Sequence, residues 1–287
     1  MSTRRILVPF IFVSLALSSC SSQPTQATRA EVEAEANRAF NQMAANMPLV
    51  ADRETIDFVA CVAQSVVGVL EPPYNDIDWS LRVFENEAVN AFAMPGGKIG
   101  VFSGLLKVTE NEHQLAAVIG HEIAHVTAEH SLERAGRSDL TGLGINAAAI
   151  ILGGGYWGTT YTAQQALAYG ATLGITLPYS RSKETEADVI GLEYMARAGF
   201  DPREAVPLWK RMDESSGGRK PAEFMSTHPA SETRIENIIN EWEKTLPLYN
   251  QARAEGQVPE CGGQSPRYVE DLQEKPQTQA EPEPEEN

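Results

Sequence analysis

Positive charge and cysteine are both scarce in this chain. Its 287 residues hold 23 lysines and arginines against 39 aspartates and glutamates, for a formal net charge of -16, and only 3 cysteines. A nucleic acid is a polyanion and needs a basic face on the protein that binds it. We therefore expect no nucleic-acid partner.

A long apolar run is missing from the start of the chain. Two arginines precede an apolar stretch, residues 6–17, which is too short to span a bilayer, and Ser18-Ser19 then lead into Cys20. This pattern is typical of a secretory signal that is removed from the mature protein. Its end resembles the bacterial lipoprotein signal, in which the cysteine is lipidated. The alternative is an ordinary signal peptide with an incidental cysteine.

Lipidation of Cys20 would tether the mature chain to a membrane. Ser21, and not an aspartate, follows the cysteine. In the enterobacterial sorting pattern, which this sequence resembles, such a residue favours the outer membrane. We therefore expect a lipid-anchored protein that faces the periplasm.

The two other cysteines are Cys61 and Cys261. An even pair in an exported protein predicts a disulfide, which would join an early helix to the segment after the last helix. The alternative is two buried free thiols, because sequence spacing does not show proximity.

The bulk of the chain has a globular composition, with 42% hydrophobic and 22% charged residues. We predict a signal over 1–19, the lipidated cysteine and an N-terminal helix over 20–50, and a main domain over 51–250. Residues 251–287 would form a C-terminal segment with a disordered acidic tail. The apolar periodicity predicts a mostly helical α+β fold with a small antiparallel or mixed sheet. Its strands would be Trp79–Glu85, Asn90–Ala93 and Lys98–Phe102.

One predicted helix carries an HExxH motif. It should begin at a capping box, Thr109-x-x-Glu112, and run to about Ala135, where Gly136 ends it.

Three later segments have weaker signals. A helix should open at Ser180 or Arg181 and end before Gly199, and the last helix should run from about Ser231 to Lys244, with regular structure thinning after Pro247. Residues 140–177 predict a helical pair near the motif helix; the alternative is a lid or a membrane-touching element.

His121 and His125 are separated by one helical turn and so lie on the same helix face. They can bind one metal ion together, and neutral imidazole suits zinc. Glu122 lies a third of a turn away, where it could take a proton from an activated water.

A catalytic zinc needs a third protein ligand. The metzincin pattern would place a glycine and a histidine at Ala128 and Ser131, so that class is excluded. His130 lies in the predicted motif helix, but on a different face from the histidine pair.

A downstream carboxylate remains as the third ligand. Glu184 and Asp188 are one turn apart and can share a helix face, one as a ligand and the other as the partner of a ligating histidine. Glu186 is turned away from Glu184 by roughly 200°. The spacing therefore favours Glu184 over Glu186.

Four groups of residues together resemble one peptidase superfamily. They are His121–His125, Tyr179–Arg181 leading into Glu184–Asp188, Ser226–Pro229, and the strand region Asn90–Val101 with its Pro-x-Gly-x-Ile-x-Val pattern. These motifs, spread over about residues 53–246, resemble the HtpX and CAAX-prenyl-protease superfamily of gluzincin peptidases. The lipoprotein signal points to its periplasmic branch of LoiP- and BepA-like enzymes.

The resemblance implies one Zn²⁺ per chain, with His121, His125 and Glu184 as its ligands and Glu122 as the general base. Asp188 would be either a proton donor or the residue that orients a histidine, and we favour the orienting role.

Three further histidines are His228, His113 and His130. His228 matches a family histidine that can face the zinc and stabilise the oxyanion; the alternative is a helix-capping histidine. We expect His113 to be an exposed helix residue, and His130 to lie on the helix surface or behind a ligand.

These assignments predict a zinc-dependent metalloendopeptidase of the bacterial envelope that hydrolyses unfolded or misassembled envelope proteins. The strand Lys98–Phe102 would pair with an extended substrate. Further expected partners are the membrane, through the lipid anchor, and outer-membrane assembly machinery or a protease. One alternative is a chaperone or assembly factor with latent proteolysis. A purely structural zinc site is disfavoured, because such sites are usually closed by four Cys or His ligands.

Overall fold

A computed structural model describes residues 28–137, 179–215, 224, 228 and 232–267. Within these ranges helices dominate, and one small mixed sheet accompanies them, so the predicted fold class is confirmed. The signal, Cys20, the segment 140–177 and the acidic tail after residue 267 lie outside the described residues. No helix in the described ranges is long and apolar enough to cross a membrane.

The sheet has three short strands close to the predicted positions. They are β1 (Ser80–Phe84), β2 (Ala91–Met94) and β3 (Lys98–Phe102). Their order is β1-β3-β2, with β3 parallel to β1 and antiparallel to β2. The prediction that β3 receives a substrate strand is therefore wrong, because both edges of β3 are already paired.

Eight α-helices lie in the described ranges. They are α1 (Arg29–Asn46), α2 (Arg53–Val67), α3 (Glu112–Thr127), α4 (His130–Arg137), α5 (Arg181–Arg197), α6 (Ala205–Ser215), α7 (Glu232–Asn240) and α8 (Trp242–Ala254). Pro247 lies inside α8, so the expectation that regular structure thins after it is wrong. The predicted last helix is two helices, which meet at Glu241.

The motif helix α3 begins later than its capping signal suggested. Asn111 is the N-cap, and its side chain accepts a hydrogen bond from the backbone N–H of Gln114. The Thr109 hydroxyl instead donates to the carbonyl of Leu105. The predicted capping box is therefore wrong, because Thr109 belongs to the preceding turn.

Helix α3 also ends earlier than predicted. It stops at Thr127, and Glu129 adopts a left-handed backbone conformation with φ 58° before α4 begins. A residue with a Cβ pays roughly 1–2 kcal/mol for this conformation. The Glu129 carboxylate contacts Arg29 and accepts a hydrogen bond from the Tyr74 hydroxyl at 3.1 Å.

Helix α3 is the central element of the core, and nearly all of its side chains are buried. It crosses α5 at a contact between two glycines. A Cβ on Gly120 would lie 2.8 Å from the carbonyl oxygen of Gly191, and a Cβ on Gly191 would lie 2.7 Å from the backbone nitrogen of His121. The two helix backbones can approach this closely only because both residues lack a side chain.

A C-terminal segment holds the start of α3 in place. A disulfide joins Cys61 on α2 to Cys261, with the Cα atoms 5.5 Å apart. The buried Glu112 carboxylate accepts hydrogen bonds from the backbone N–H groups of Cys261 and Gly263, each at 3.0 Å. The first turn of the motif helix is thus linked both to α2 and to the end of the described chain.

Substitution of Gly191 tests the close helix crossing. We expect Gly191→Ala to lower the free energy of unfolding by about 1–3 kcal/mol, because the added methyl group forces α3 and α5 apart. Urea unfolding measures this change, and the exposed Glu193→Ala on the same helix is the control. A Gly191→Ala protein as stable as the control would contradict the crossing.

Candidate metal centre

Four buried side chains bring their donor atoms together. One ligand atom from each of His121, His125, Glu184 and His228 lies within 4.8 Å of all the others. Helix α3 supplies the first two and α5 supplies Glu184 from its first turn, while His228 precedes α7. The structure therefore unites the three predicted metal ligands with a residue predicted to stabilise an oxyanion.

The distances within the cluster are short. The two Nε2 atoms of His121 and His125 lie 3.1 Å apart, and Nδ1 of His228 lies 3.1 Å from Oε1 of Glu184. The Nε2 atom of His121 is 3.4 Å from Oε2 of Glu184. Imidazole nitrogens with one carboxylate oxygen are ligands that zinc prefers, so these residues fit a divalent metal of that kind.

Glu122 is buried beside the cluster. Its Oε1 lies 3.3 Å from Nε2 of His228, but this oxygen atom forms no hydrogen bond with any described residue. Burial raises the pKa of this carboxyl group. A buried carboxylate oxygen of this kind usually has a water or a ligand as its partner, so a reacting water could be held here.

Asp188 lies on the outer side of His121, the first predicted ligand. Its Oδ1 is 3.0 Å from Nδ1 of His121, while Nε2 of the same ring faces the cluster. This is the position of a carboxylate that orients a ligating histidine.

Arg234 on α7 was missed by the sequence interpretation. Its guanidinium binds both carboxylate oxygens of Asp188, lies 3.2 Å from Oε2 of Glu184, and donates to the carbonyl of His228 at 3.0 Å. One sequence signal could have revealed it: Arg234 lies one turn before the buried Ile238, on the apolar face of its helix. A buried arginine is rare unless it is paired, so that position indicates buried acidic partners.

The other candidate side chains lie outside the cluster. Glu186, with a side chain 57% exposed, contacts Nε2 of the buried His130, whose Nδ1 contacts His125. His113 is half-buried against Phe200 and accepts a hydrogen bond from the backbone of Asp201. The expectation that His113 is exposed is therefore wrong.

The cluster shifts the protonation of its own members. Burial opposes the charge of His121, but hydrogen bonds with Asp188 and Glu184 outweigh it and raise its pKa to about 9. Burial and the charge of His121 lower the pKa of His125 well below its usual value. Burial alone would raise the pKa of Glu184, yet attraction to His228 and bonding with His121 hold it far below the usual range. Without a metal, His121 therefore carries a proton below about pH 9.

A buried cluster of histidines and a carboxylate, built around an HExxH helix beside a small mixed sheet, defines a metallopeptidase-type domain. The sequence model of peptidase family M48 matches residues 57–242. The chain belongs to this family.

Curated relatives come from mitochondria and from bacteria. The chain is 39% identical over 188 residues to "Mitochondrial metalloendopeptidase OMA1" of Schizosaccharomyces pombe, which covers 64% of this chain and 52% of the relative. It is 30% identical over 219 residues to "Beta-barrel assembly-enhancing protease" of Escherichia coli, which covers 74% of this chain and 44% of the relative. The chain thus spans about half the length of the curated relatives it matches.

Metal binding is expected to release a proton from His121. As pH rises from 6.5 towards 9, the dissociation constant for zinc should fall by up to about tenfold per pH unit, because the ring must lose its proton to bind; above about pH 9 it should level off. In the metal-free protein the raised pKa stabilises the fold fully below pH 6.5, and this stabilisation is lost as pH rises through about 9. Chelator-competition titrations measure the affinity.

Asp188→Asn provides the control for this pH dependence. It removes a charge that raises the pKa of His121, so the levelling-off should move to lower pH. A zinc affinity that does not change between pH 6.5 and 9 in the unmodified protein would contradict the assignment.

Replacement of Arg234 tests its charge pairing. Arg234→Met should lower the free energy of unfolding by about 3–5 kcal/mol, because Asp188 would stay buried without its cation. Arg234→Lys should cost less, since it keeps the charge and loses only the forked geometry. Urea unfolding of the metal-free protein measures both, with the exposed Arg253→Met as control. A loss below about 1 kcal/mol for Arg234→Met would show that the pairing contributes little.

Proposed function

We propose that this protein is a zinc-dependent endopeptidase that cleaves unfolded or misassembled proteins of the bacterial cell envelope. The observation that carries the proposal is the buried Oε1 of Glu122, which has no hydrogen-bond partner among the described residues and lies beside four metal-capable donors in a chain of a peptidase family. A purely structural metal site would have no use for such a carboxylate.

His121, His125 and Glu184 would hold the zinc. When bound, zinc polarises both the attacking water and the scissile carbonyl group. Asp188 keeps the ring of His121 in the orientation that leaves Nε2 for the metal. Arg234 in turn holds Asp188 and Glu184 in place.

Glu122 transfers the protons. Its carboxylate takes a proton from the attacking water and later delivers it to the departing amine. Burial raises the pKa of Glu122, which makes it a better proton acceptor than an exposed carboxylate. The buried surroundings also keep bulk water away from the transferred proton.

His228 is proposed to stabilise the oxyanion. Its Nδ1 lies at the cluster and its Nε2 lies 3.3 Å from Oε1 of Glu122, so its ring borders the position where water would react. A catalytic site needs one coordination position that is not filled by the protein. We therefore assign three ligands to the metal and leave His228 to the substrate.

The edge of β2 is the proposed binding place for the substrate backbone. Among the described strands, β2 pairs only with β3, and it packs beside α3. An extended peptide could add to this edge through main-chain hydrogen bonds, which favours unfolded segments over folded ones. We propose β2 in place of β3 for this role.

The envelope location rests on the lipoprotein-like sequence around Cys20. We propose that the lipid anchor holds the protein at the outer membrane, facing the periplasm. The similarity to a protease whose name refers to β-barrel assembly supports proteins of β-barrel assembly as substrates or partners. We further propose envelope polypeptides as substrates, and outer-membrane assembly machinery or a second protease as partner. The same similarity favours one second function: a chaperone or assembly factor in which proteolysis is latent.

Glu122→Gln separates catalysis from metal binding. We expect it to retain zinc and to cleave casein at least about a hundredfold more slowly, because a general base contributes about 10²–10⁴-fold. The control is Glu236→Gln, an exposed carboxylate on α7, which should cleave at the normal rate. Full activity of Glu122→Gln would refute the mechanism.

The same variant distinguishes the two functions in cells. In a strain that lacks the gene, a protease requires an active Glu122, so Glu122→Gln should fail to restore envelope proteolysis or growth under envelope stress. Full restoration of growth by the inactive variant would favour the assembly factor.

A further inference from the structure

His125 is the second ligand histidine, and its ring is held from behind by residues outside the four-donor cluster. We propose that His130 and Glu186 are positioning residues that fix the proton of His125 on Nδ1 and so leave its Nε2 to bind the metal. This inference rests on the proposed zinc site and adds two residues that influence the affinity of that site for zinc.

The two nitrogens of His125 have different surroundings. Its Nε2 faces the cluster, 3.1 Å from Nε2 of His121 and 3.6 Å from Oε1 of Glu184. Its Nδ1 lies 2.9 Å from Nδ1 of His130. Only the Nε2 atom is therefore available to a metal shared with His121.

The tautomers follow from hydrogen-bond donors and acceptors. A neutral imidazole that binds a metal through Nε2 carries its proton on Nδ1, so His125 donates to His130. Nδ1 of His130 must then be the bare nitrogen, and its proton must lie on Nε2. That Nε2 is 3.2 Å from Oε2 of Glu186, a carboxylate that can only accept. Each hydrogen bond thus determines the direction of the next.

The break after α3 makes this contact possible. In an unbroken helix, two residues five positions apart are about 140° apart around the axis and cannot face each other. Here the left-handed backbone at Glu129 turns the chain, so that His130 at the start of α4 folds back onto His125. The contacts of Glu129 with Arg29 and Tyr74 hold this turn in place.

Tyr179 packs against the ring of His125 and lies near that of His130. It stacks on His125 with ring centroids 4.2 Å apart and an interplanar angle of 19°, and its centroid is 5.7 Å from that of His130. The hydroxyl groups of Tyr179 and Ser131 are hydrogen-bonded at 2.8 Å. His130 itself is only 1% exposed, so water does not compete for its hydrogen bond with His125.

The two ligand histidines therefore have unequal support. Asp188 binds His121 directly and is buried, whereas Glu186 reaches His125 only through a neutral imidazole and is largely exposed. A charged partner raises the metal affinity of a ligating histidine more than a neutral partner does, and solvent screens the charge of an exposed partner. Loss of His130 should therefore weaken zinc binding strongly, and loss of the Glu186 charge only slightly.

Zinc affinity of the purified chain tests the proposal without reference to proteolysis. We expect His130→Leu to raise the zinc dissociation constant about 10–100-fold, and Glu186→Gln to raise it by less than about tenfold. His130→Asn should recover most of the affinity, because its amide oxygen can accept the Nδ1 proton of His125. The control is Glu193→Gln, which replaces an exposed carboxylate on the same helix as Glu186 and should leave the zinc affinity unchanged.

The tautomers are measured directly by ¹⁵N NMR of the imidazoles in the zinc-loaded, unsubstituted protein. Five histidines are few enough to assign by single substitutions. We expect the proton on Nδ1 of His125 and on Nε2 of His130. The tautomers are read in the unsubstituted protein, and His130→Asn supplies the assignment of His130 if His130→Leu does not fold.

Two results would overturn the inference. One is a proton on Nδ1 of His130 in the zinc-loaded protein. The other is a folded His130→Leu variant that binds zinc within about twofold of the unsubstituted chain, a difference below the effect expected for a residue behind a ligand. If the unsubstituted chain itself bound no zinc, the proposed function would fail instead, and the two failures are therefore distinguishable.

Discussion

The close crossing of α3 and α5 at Gly120 and Gly191 is the contact on which the candidate metal centre depends. It sets the backbones near enough for Glu184 and Asp188 on α5 to reach His121 and His125 on α3. Side chains at that crossing would separate the helices, and the carboxylates would lose their partners. The rest of the fold supports this pair: the sheet lies beside α3, and the C-terminal segment holds its first turn through Glu112.

Buried charge is the second constraint. Glu122, Glu184 and Asp188 are all buried within one small region, and isolated carboxylates there would be costly to fold. Arg234 neutralises part of this charge, and protonated His121 neutralises more when no metal is bound. A divalent cation would replace the proton of His121 and leave Arg234 in place. A divalent cation and Arg234 would together match the three carboxylates, whereas Arg234 and protonated His121 match only two of them.

The predictions from sequence succeeded where the interactions are local. The spacing of His121 and His125 and of Glu184 and Asp188 placed each pair on one helix face, and the structure brings the two pairs together. The three strands and the bounds of α5 were also close. The predictions failed at the ends of helices: Asn111 and not Thr109 caps α3, and α8 continues past Pro247. At these positions the sequence offers more than one possible helix start or end, and the tertiary contacts decide which one forms.

By itself, the sequence identified the candidate metal-binding and catalytic residues, because helical periodicity places residues on a shared face and zinc prefers histidine and carboxylate donors. Only the tertiary structure decided the order of the strands, which places β3 in the centre of the sheet and β2 at one edge. It also decided that Arg234 is buried among carboxylates and that His130 lies behind His125. These arrangements arise from contacts between segments distant in sequence and from the turn at Glu129, and no local pattern of residues specifies them.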